Sequence, residues 1–568
     1  MTTDELQKAL QGVMKGEVSS DEGARREASR DTSLFTRMPE LVVYPEDADD
    51  VSAIVKEIGR ARTAGAPIAL AARAAGTDMS GGPLTTGVVV SFTKHMNHMG
   101  DVAHVAVKPP HGREAQSDGY AVTEPGVFYR DFEKATLAKN LILPSYPASR
   151  GIAAMGGIVA NNAGGERTLR YGKTETYVEE LDVVLSDGSR VTFGPLTPEE
   201  VADKKKLDTL EGKIYREMDA LLSDNAALIQ KRRPKVSKNS AGYALWSIRD
   251  ERTGATNLAK LICGSQGTLA LWTRAKLGLV APKPHRAMLV IFLNDLSVLP
   301  EVVSRVLPHH PESFESYDDH TFTLAVKFIP QLLAQMGVAR AARLGVSFIP
   351  EALAVATGGV PKLLLMAEFA EDTLEEADRK ALAAQGALAD LHLQTKIEKN
   401  EKESEKYWIV RRESFNLLRK NVHGLHTAPF IDDFVVPPAS YAEFLPKLDA
   451  LIQTYSSHFI YTIAGHIGSG NFHIIPLMDI AKEENRQIIL DLAPQVYELV
   501  ISVGGTTTGE HNDGIIRTPY LPMLFGPEMI ALFEKTKHIF DPLDIFNPGK
   551  KVGGTFDDIK HDMITSVS

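Results

Sequence analysis

The sequence predicts an α+β protein with more than one domain. Short apolar runs typical of strands mix with amphipathic helices and glycine loops up to about residue 280. Beyond Pro282, long helical segments alternate with apolar strands, and no internal repeat is present. A chain of 568 residues exceeds what one hydrophobic core usually supports, so two or three domains are expected.

The first half divides into short elements. Residues 1 to about 30 are rich in charged side chains and predict an exposed helical arm. The apolar spacing that begins at Asp50 predicts an amphipathic helix. The segment 180–188 ends in Asp-Gly, which favours a hairpin. Strands are expected at 41–45, 68–73, 87–92, 120–126 and 180–188.

The second half has longer elements. Helices are expected across 373–407 and at 527–540, and an apolar strand at 363–369. Loops are expected from Gly504 onward, before the second of these helices. These changes predict an arm (1–30), a first domain (31–281), a second α+β domain (282–500) and a C-terminal segment (501–568).

Composition excludes several classes. The chain has 62 Lys and Arg against 73 Asp and Glu, a net charge of −11, whereas nucleic-acid binders usually have a basic face. The first residues lack the pattern of a signal peptide, and no apolar run approaches the roughly 18 residues that span a bilayer. One cysteine, Cys263, excludes internal disulfides and thiolate-held clusters. We therefore expect a cytoplasmic protein; peripheral contact with the inner face of a membrane and homodimerisation are left open.

Glycine is concentrated in three segments, 76–82, 155–172 and 264–269. The second also holds Asn161 and Asn162, which tolerate left-handed backbone. Such loops can hold a pyrophosphate with backbone N–H groups, although a glycine-rich turn without a ligand is the alternative. The chain has neither the Rossmann arrangement of glycines with a following acidic residue nor a P-loop.

Taken in their order along the chain, the three glycine segments resemble those of the FAD-binding enzymes of the vanillyl-alcohol oxidase and para-cresol methylhydroxylase (PCMH) superfamily. The nearest branch contains D-lactate dehydrogenase, glycolate oxidase and D-2-hydroxyglutarate dehydrogenase. The resemblance implies a PCMH-type FAD-binding domain of two α+β subdomains. It also implies an α+β cap domain with an antiparallel sheet, and a C-terminal segment that returns to the FAD domain.

The resemblance also implies how FAD is held. No histidine lies between Arg73 and Gly82, so we expect FAD to be non-covalent, and we expect Cys263 to be a buried apolar side chain. Ala74 and Ala75 replace two glycines of the family's first loop, which requires negative φ at both. The implied FAD-binding residues are Arg73, Ala74, Ala75, Gly76, Thr77, Asp78, Met79, Ser80, Pro147, Ser149, Gly156, Gly157, Asn161, Asn162, Ala163, Gly164, Gly165, Gly264, Ser265, Gly267, Thr268, Leu269 and Asn547.

Two glycine-flanked segments carry histidines. His466 and His473 lie seven residues apart, so they face opposite sides of a plain strand unless a turn at 468–470 brings them together. Glu510 and His511 lie together in the second segment. Two histidines and a glutamate can hold a divalent ion, although each histidine alone is more often structural.

The resemblance implies a role for each group. His466, His473 and Glu510 match the positions that hold zinc or a similar metal such as manganese, and His511 matches the general base. Arg411 of Trp408-Ile-Val-Arg-Arg412 matches the arginine that binds the substrate carboxylate, although a solvated helix face explains both arginines equally well. The segment 432–437 resembles a strand of the family, and Ile431 replaces a lysine that binds a second carboxylate in the hydroxyglutarate enzymes.

The expected reaction is oxidation of a D-2-hydroxy acid to the 2-oxo acid, with D-lactate or glycolate favoured. Hydride would pass to flavin N5 while neutral His511 takes the hydroxyl proton, with assistance from the metal. Electrons would pass to a quinone, an electron-transfer flavoprotein or a separate iron–sulfur subunit. The alternatives are D-2-hydroxyglutarate oxidation, a transferase of the alkyl-dihydroxyacetone-phosphate synthase type, a sugar or aldonolactone oxidase, and a subunit that only relays electrons.

Overall fold

The computed structural model describes residues 1–105, 117–319, 321, 360–421 and 424–565. Within these ranges the chain forms three larger sheets with helices packed against them. The α+β class predicted from the sequence is therefore confirmed.

The N-terminal unit is a four-stranded sheet. Its order is 17–19, 41–44, 88–91, 70–73, with the first strand antiparallel and the others parallel. The predicted amphipathic helix packs Val51, Ile54 and Ile58 against this sheet. The elements are helices Thr3–Gln11, Glu22–Ala28 and Ala48–Thr63, and strands Glu17–Ser19, Leu41–Tyr44, Leu70–Arg73 and Val88–Ser91.

The helices predicted for residues 1–30 are present, but the segment packs against the first sheet and is not an exposed arm. The segment forms two short helices and an edge strand, and Leu6 and Leu10 are buried in the same core as Ile54. Leu6 and Leu10 have the i, i+4 spacing of a buried helix face. The prediction gave more weight to the many charged residues of the segment than to this apolar pair.

The second unit is a five-stranded antiparallel sheet in the order 99–104, 119–123, 271–279, 178–184, 190–193. The predicted hairpin after residue 180 is confirmed, with Gly188 at φ +77°. The strands are Met99–His104, Gly119–Thr123, Val178–Val184, Arg190–Phe193 and Leu271–Leu279, with the small pair Pro195–Leu196 and Thr256–Asn257; the helices are Tyr129–Leu137, Met155–Ala160, Thr168–Tyr171, Pro198–Lys204, Leu210–Asp224, Ala226–Arg232 and Ala259–Ile262.

The third unit contains a six-stranded antiparallel sheet in the order 394–398, 285–293, 363–371, 313–318, 463–466, 471–474. Its strands are His285–Leu293, Ser313–Asp318, Leu363–Glu371, Gln394–Glu398, Ile463–His466 and Asn471–Ile474. A small sheet joins His426–Thr427, Leu477–Met478 and Phe459–Ile460. The described helices are Leu299–Val306, Leu374–Gly386, Glu401–Asn421, Tyr441–Gln453 and Glu483–Ser502.

Two predicted elements differ here. The helical region expected across 373–407 is interrupted by strand Gln394–Glu398, because Thr395 and Ile397 pair with the neighbouring strand His285–Leu293. The strand expected at 432–437 is reduced to single bridges at Val435, because Asp433 has φ +68° and leaves strand geometry.

The C-terminal segment returns to the N-terminal unit. Phe546 forms a parallel bridge with Leu70 and lies in the same core, and Phe35 bridges to Met563. The helices are Gly514–Arg517, Leu521–Phe525, Pro527–Phe540 and Phe556–Asp562. Short 3-10 turns lie at Thr174–Thr176, Leu245–Ser247, Leu296–Val298, Leu307–His309, Ala389–Leu391, Pro438–Ser440, Ile467–Ser469 and Thr518–Tyr520.

Candidate active site

A cavity of about 550 Å³ lies where the three units meet. Residues of the three glycine loops line one part of it, called the glycine end, and the histidines with Glu510 line the other, called the imidazole end. The two parts adjoin at Gly164, where an added Cβ would lie 3.1 Å from Oε1 of Glu510. The sequence-predicted residues that line it are Arg73, Ala74, Ala75, Gly76, Thr77, Asp78, Met79, Pro147, Ser149, Gly156, Gly157, Asn161, Ala163, Gly164, Ser265, Gly267, Arg411, His466, His473, Glu510 and His511. The predicted residues outside the lining are Ser80, Asn162, Gly165, Gly264, Thr268, Leu269 and Asn547.

The first glycine loop is fixed by its own carboxylate. Asp78 accepts hydrogen bonds from the backbone N–H groups of Ser80 and Gly82 at 2.9 and 2.8 Å. Those two backbone N–H groups are therefore hydrogen-bonded within the loop and are not free to donate to a ligand. The left-handed positions are Gly76 (φ +67°) and Gly81 (φ +81°), so the alanines at 74 and 75 fall where φ is negative, as their substitution requires.

The second glycine segment begins with the short helix Met155–Ala160. Asn162 has φ +49°, in agreement with the left-handed tolerance expected of it. A Cβ on Gly156 would lie 2.8 Å from the Pro125 carbonyl oxygen and 2.9 Å from the Ala74 Cβ, so only glycine fits there. At Gly157 nothing lies within 4 Å of such a Cβ, and this residue faces open space at the cavity.

Asn547 and Asn161 connect the loops to one another. Asn547 donates to the carbonyl oxygens of Gly82 and Gln266 at 2.9 and 2.8 Å, from behind the cavity lining. The Nδ2 of Asn161 donates to Asp78 at 2.6 Å, and its Oδ1 accepts from Gln266 at 3.2 Å. These contacts use only Nδ2 of Asn547, and its predicted contact with FAD stays a prediction.

The glycine end fits a dinucleotide with an anionic centre. Arg73 lines the cavity, and its Nη1 is buried with no hydrogen-bond partner among the described residues. A buried guanidinium N–H without a partner is costly, and a phosphate oxygen would satisfy it. Glycines at positions where a Cβ would collide let the backbone approach such a ligand closely.

The two histidines of the hairpin reach the same end of the cavity. Strands Ile463–His466 and Asn471–Ile474 pair, and a 3-10 turn with Gly470 at φ +75° joins them. The ring centroids of His466 and His473 lie 5.2 Å apart, and those of His473 and His511 also 5.2 Å. The turn proposed from the sequence therefore does bring the seven-residue pair together.

Carboxylates contact the Nδ1 atom of all three rings. Nδ1 of His466 lies 2.7 Å from Glu315, and Nδ1 of His473 lies 3.1 Å from Asp432. Nδ1 of His511 lies 2.8 Å from the other oxygen of Asp432, an ion-pair contact whose N–H is not well directed for a hydrogen bond. Because an ionised carboxylate only accepts, it favours the proton on Nδ1 and leaves Nε2 of a neutral ring free as a ligand or base.

Glu510 completes the predicted metal set. One ligand atom from each of His466, His473 and Glu510 lies within 4.8 Å of the others, which fits a single divalent ion. Glu510 also accepts from the buried ammonium of Lys238 at 2.5 Å. Burial opposes ionisation of Glu510, but Lys238 and then His466 hold its pKa well below the usual range. A bound ion would share this carboxylate with Lys238.

The protonation states of the rings differ. Burial lowers the pKa of His473. Burial also disfavours the charged form of His511, but Asp433 and Asp432 outweigh it and raise the pKa of His511 to about 9. In the site without a metal, this raised pKa favours the protonated ring of His511. Neutral His511 as the general base stays a prediction.

The two arginines of helix Glu401–Asn421 have different surroundings. Arg411 lines the cavity; its Nη2 lies 3.3 Å from Glu315, and its Nε is buried without a hydrogen-bond partner in the described ranges. Arg412 is paired with Glu166 at 2.6 Å and packs over the ring of Trp408. The alternative of a solvated helix face therefore does not describe Arg411.

Several residues at the site were missed. Asp433 accepts from the backbone N–H groups of Gly509, Glu510 and His511, which shapes the turn that presents the last two side chains. Lys238 pairs with a residue 272 positions away. Glu315 lies inside a strand whose residues are all buried, and this burial cannot be read from the sequence of the strand.

Comparisons with known proteins identify two family domains in the chain. The family model for an FAD binding domain matches residues 39–194, and the model for the C-terminal domain of FAD linked oxidases matches residues 282–551. Glycolate oxidase subunit GlcD of Bacillus subtilis is 26% identical, over 91% of this chain and 90% of that protein. D-2-hydroxyglutarate dehydrogenase of Pseudomonas putida is 28% identical, over 94% of this chain and 50% of that protein. The chain thus spans about half the length of several curated relatives that it matches.

Solved structures share the fold. A 4-ethylphenol oxidase from Gulosibacter chungangensis superposes with a TM-score of 0.66 at 15% identity, covering 98% of both chains. An alkyldihydroxyacetonephosphate synthase superposes with a TM-score of 0.62 at 14% identity, covering 96% of this chain and 85% of that one. These confirm the predicted PCMH-type FAD-binding fold.

None of the helices in the described ranges is both long and apolar enough to cross a bilayer.

Proposed function

Because the chain belongs to the FAD linked oxidases, we propose that it oxidises a D-2-hydroxy acid to the 2-oxo acid, with D-lactate or glycolate as the favoured substrate. The observation that carries this proposal is the meeting of His466, His473, His511 and Arg411 at one end of the glycine-lined cavity. Relatives named glycolate oxidase subunit and D-lactate dehydrogenase support it.

The glycine end would hold FAD without a covalent bond. Arg73, with its unpartnered Nη1, and the backbone of 74–79 would face the pyrophosphate, and Gly156 and Gly157 would face the flavin-bearing half. FAD, when bound, supplies the two-electron acceptor that takes the hydride from the hydroxyl-bearing carbon. Electrons would then leave to a separate acceptor such as a quinone, an electron-transfer flavoprotein or an iron–sulfur subunit.

The imidazole end would bind and deprotonate the substrate. Arg411, which lines the cavity, would bind the carboxylate through its guanidinium group. His511 would accept the hydroxyl proton at Nε2, once its own Nε2 proton has been lost. His466, His473 and Glu510 would hold a divalent ion, zinc or manganese, which would polarise the substrate oxygen and lower the pKa of His511 by charge repulsion.

A diacid is the second candidate, because several relatives are named D-2-hydroxyglutarate dehydrogenase. Ile431, which replaces the lysine of those enzymes in the resemblance, is fully buried in an apolar core. It can supply no charge for a second carboxylate. This favours a substrate with one carboxylate.

The test is anaerobic reduction of the purified holoenzyme by a panel of D- and L-2-hydroxy acids. D-Lactate or glycolate should bleach the visible flavin band, and D-2-hydroxyglutarate should do so more slowly. A sample stripped of metal should bleach more slowly at pH 7 at unchanged FAD content. Absence of bleaching with every acid would reject the proposal and leave the transferase alternative. Peroxide formation under air would instead favour an oxidase.

A further inference from the structure

We propose that Glu315 is a positioning residue shared by His466 and Arg411, so that one carboxylate orients both the candidate metal ligand and the candidate substrate cation. This inference rests on the proposed function and deepens it. Glu315 would connect Arg411, which is proposed to bind the substrate carboxylate, to the metal ligand His466, whose ion is proposed to polarise the substrate hydroxyl.

The contacts of Glu315 carry the inference. The residue lies in the middle of strand Ser313–Asp318, is 1% exposed and lines the cavity. One oxygen lies 2.7 Å from Nδ1 of His466, on a strand that pairs with its own. The other oxygen lies 3.3 Å from Nη2 of Arg411, on a helix of the same unit. Each oxygen therefore contacts a different functional group.

A buried carboxylate is costly unless its partners compensate for lost water. Glu312, a neighbouring buried carboxylate whose partners are structural, provides the comparison for Glu315. It lies three residues earlier, is also 1% exposed, and contacts Arg286 at 2.6 Å, Tyr171 at 3.2 Å and Arg167 at 3.4 Å. None of these three partners lines the cavity. Glu315 has equal burial, but both of its partners belong to the site.

The shared contact has two consequences. At His466 it favours the proton on Nδ1, so Nε2 faces Glu510 at 3.5 Å as a metal ligand must. At Arg411 it contacts Nη2, and this contact sets the position of the guanidinium that lines the cavity. Loss of Glu315 should therefore weaken both metal binding and substrate binding, although Glu315 is proposed to contact neither the metal ion nor the substrate.

The test compares Glu315→Gln with Glu312→Gln in the FAD-loaded protein. Cobalt(II) affinity is measured by its visible absorption after chelation of the native ion, and kcat and KM for D-lactate or glycolate by dye reduction. For Glu315→Gln we expect a loss of about 10–100-fold in cobalt affinity and a higher KM. For Glu312→Gln we expect a lower melting temperature, with cobalt affinity and KM within about twofold of the wild type.

Glu315→Asp provides a second variant. It keeps the charge but withdraws both oxygens by one methylene. As in Glu315→Gln, cobalt affinity should therefore fall and KM should rise. Wild-type cobalt affinity and KM in Glu315→Gln would overturn the inference, as would equal losses in both glutamine variants. Failure of both Glu315 variants to retain FAD and fold, while Glu312→Gln folds, would assign Glu315 to folding and also overturn it. A wild-type protein that no hydroxy acid reduces would instead reject the proposed function.

Discussion

The two ends of the cavity are built in different ways. At the glycine end the ligand-facing groups are mostly backbone, and they are fixed from behind by Asn547 and from within by Asp78. At the imidazole end they are side chains, and their partners are other charged side chains such as Glu315 and Asp432. Apart from the charge of Arg73, the first end therefore depends on steric fit, and the second depends on charge.

This difference predicts how substitutions divide. Changes at the glycine end should alter FAD retention and stability, because an added atom displaces backbone. Changes at the imidazole end should alter rates and metal affinity at constant FAD content, because they remove a proton acceptor or a charge. A substitution at the imidazole end that lowers FAD retention, or one at the glycine end that lowers metal affinity, would show that the two ends are coupled.

The largest expected effect belongs to His511. Replacement by Asn removes the proposed base, and general-base catalysis typically contributes about 10²–10⁴-fold. We expect the rate of flavin reduction, measured anaerobically by stopped flow, to fall within this range at unchanged FAD content. The exposed His538, on helix Pro527–Phe540, provides the control: His538→Asn should reduce flavin at the wild-type rate. A fall of less than about fivefold in His511→Asn would exclude it as the base.

The sequence predicted more of the glycine end than of the imidazole end. Three glycine loops are local patterns, so the order of the motifs was sufficient to place Gly76, Gly156 and Gly267 at one cavity. The hairpin was also local: Gly470 lies between the two histidines, and its positive φ reverses the chain.

The partners of the charged groups could not be predicted in this way. Lys238 and Glu510 are 272 residues apart, and Glu315 and His466 are 151 apart. No spacing rule joins such pairs in a single sequence, so Lys238 and Glu315 were missed as partners of the site residues. The predicted domain boundaries at 30, 281 and 500, and the roles of the individual site residues, stay predictions.

A smaller effect should distinguish two adjacent glycines. Gly156→Ala places a Cβ against the Pro125 carbonyl and Ala74, neither of which can rotate away, and overpacking of this kind costs about 1–3 kcal/mol. Gly157→Ala meets nothing within 4 Å in the FAD-free protein but faces the cavity. We expect the first to lower the melting temperature of the FAD-free protein. The second should leave it unchanged and weaken FAD binding, measured by fluorescence titration. Equal melting temperatures for the two variants would contradict the steric account of this end.

The smallest expected effect is a pH dependence of stability at the glycine end. Burial, and then the neighbouring Asp78, raise the pKa of Asp31 from 3.8 to about 8. A carboxyl whose pKa is raised by folding stabilises the protein fully below its unfolded value, and this contribution is lost as the pH rises through the folded value. The melting temperature of the FAD-free wild type, relative to Asp31→Asn, should therefore fall by about 2 °C between pH 5 and pH 8.

Asp47 is the matched control for this experiment, because its pKa is shifted the other way. A hydrogen bond from Lys15 lowers the pKa of Asp47, so its contribution is present above the unfolded value and is lost only as the pH falls below about 4. The difference between wild type and Asp47→Asn should consequently be flat between pH 5 and pH 8. A flat difference for Asp31→Asn as well would mean that Asp31 is ionised beside Asp78. The glycine end would then hold two negative charges where we propose that it receives a pyrophosphate, and charge as well as steric fit would govern FAD binding there.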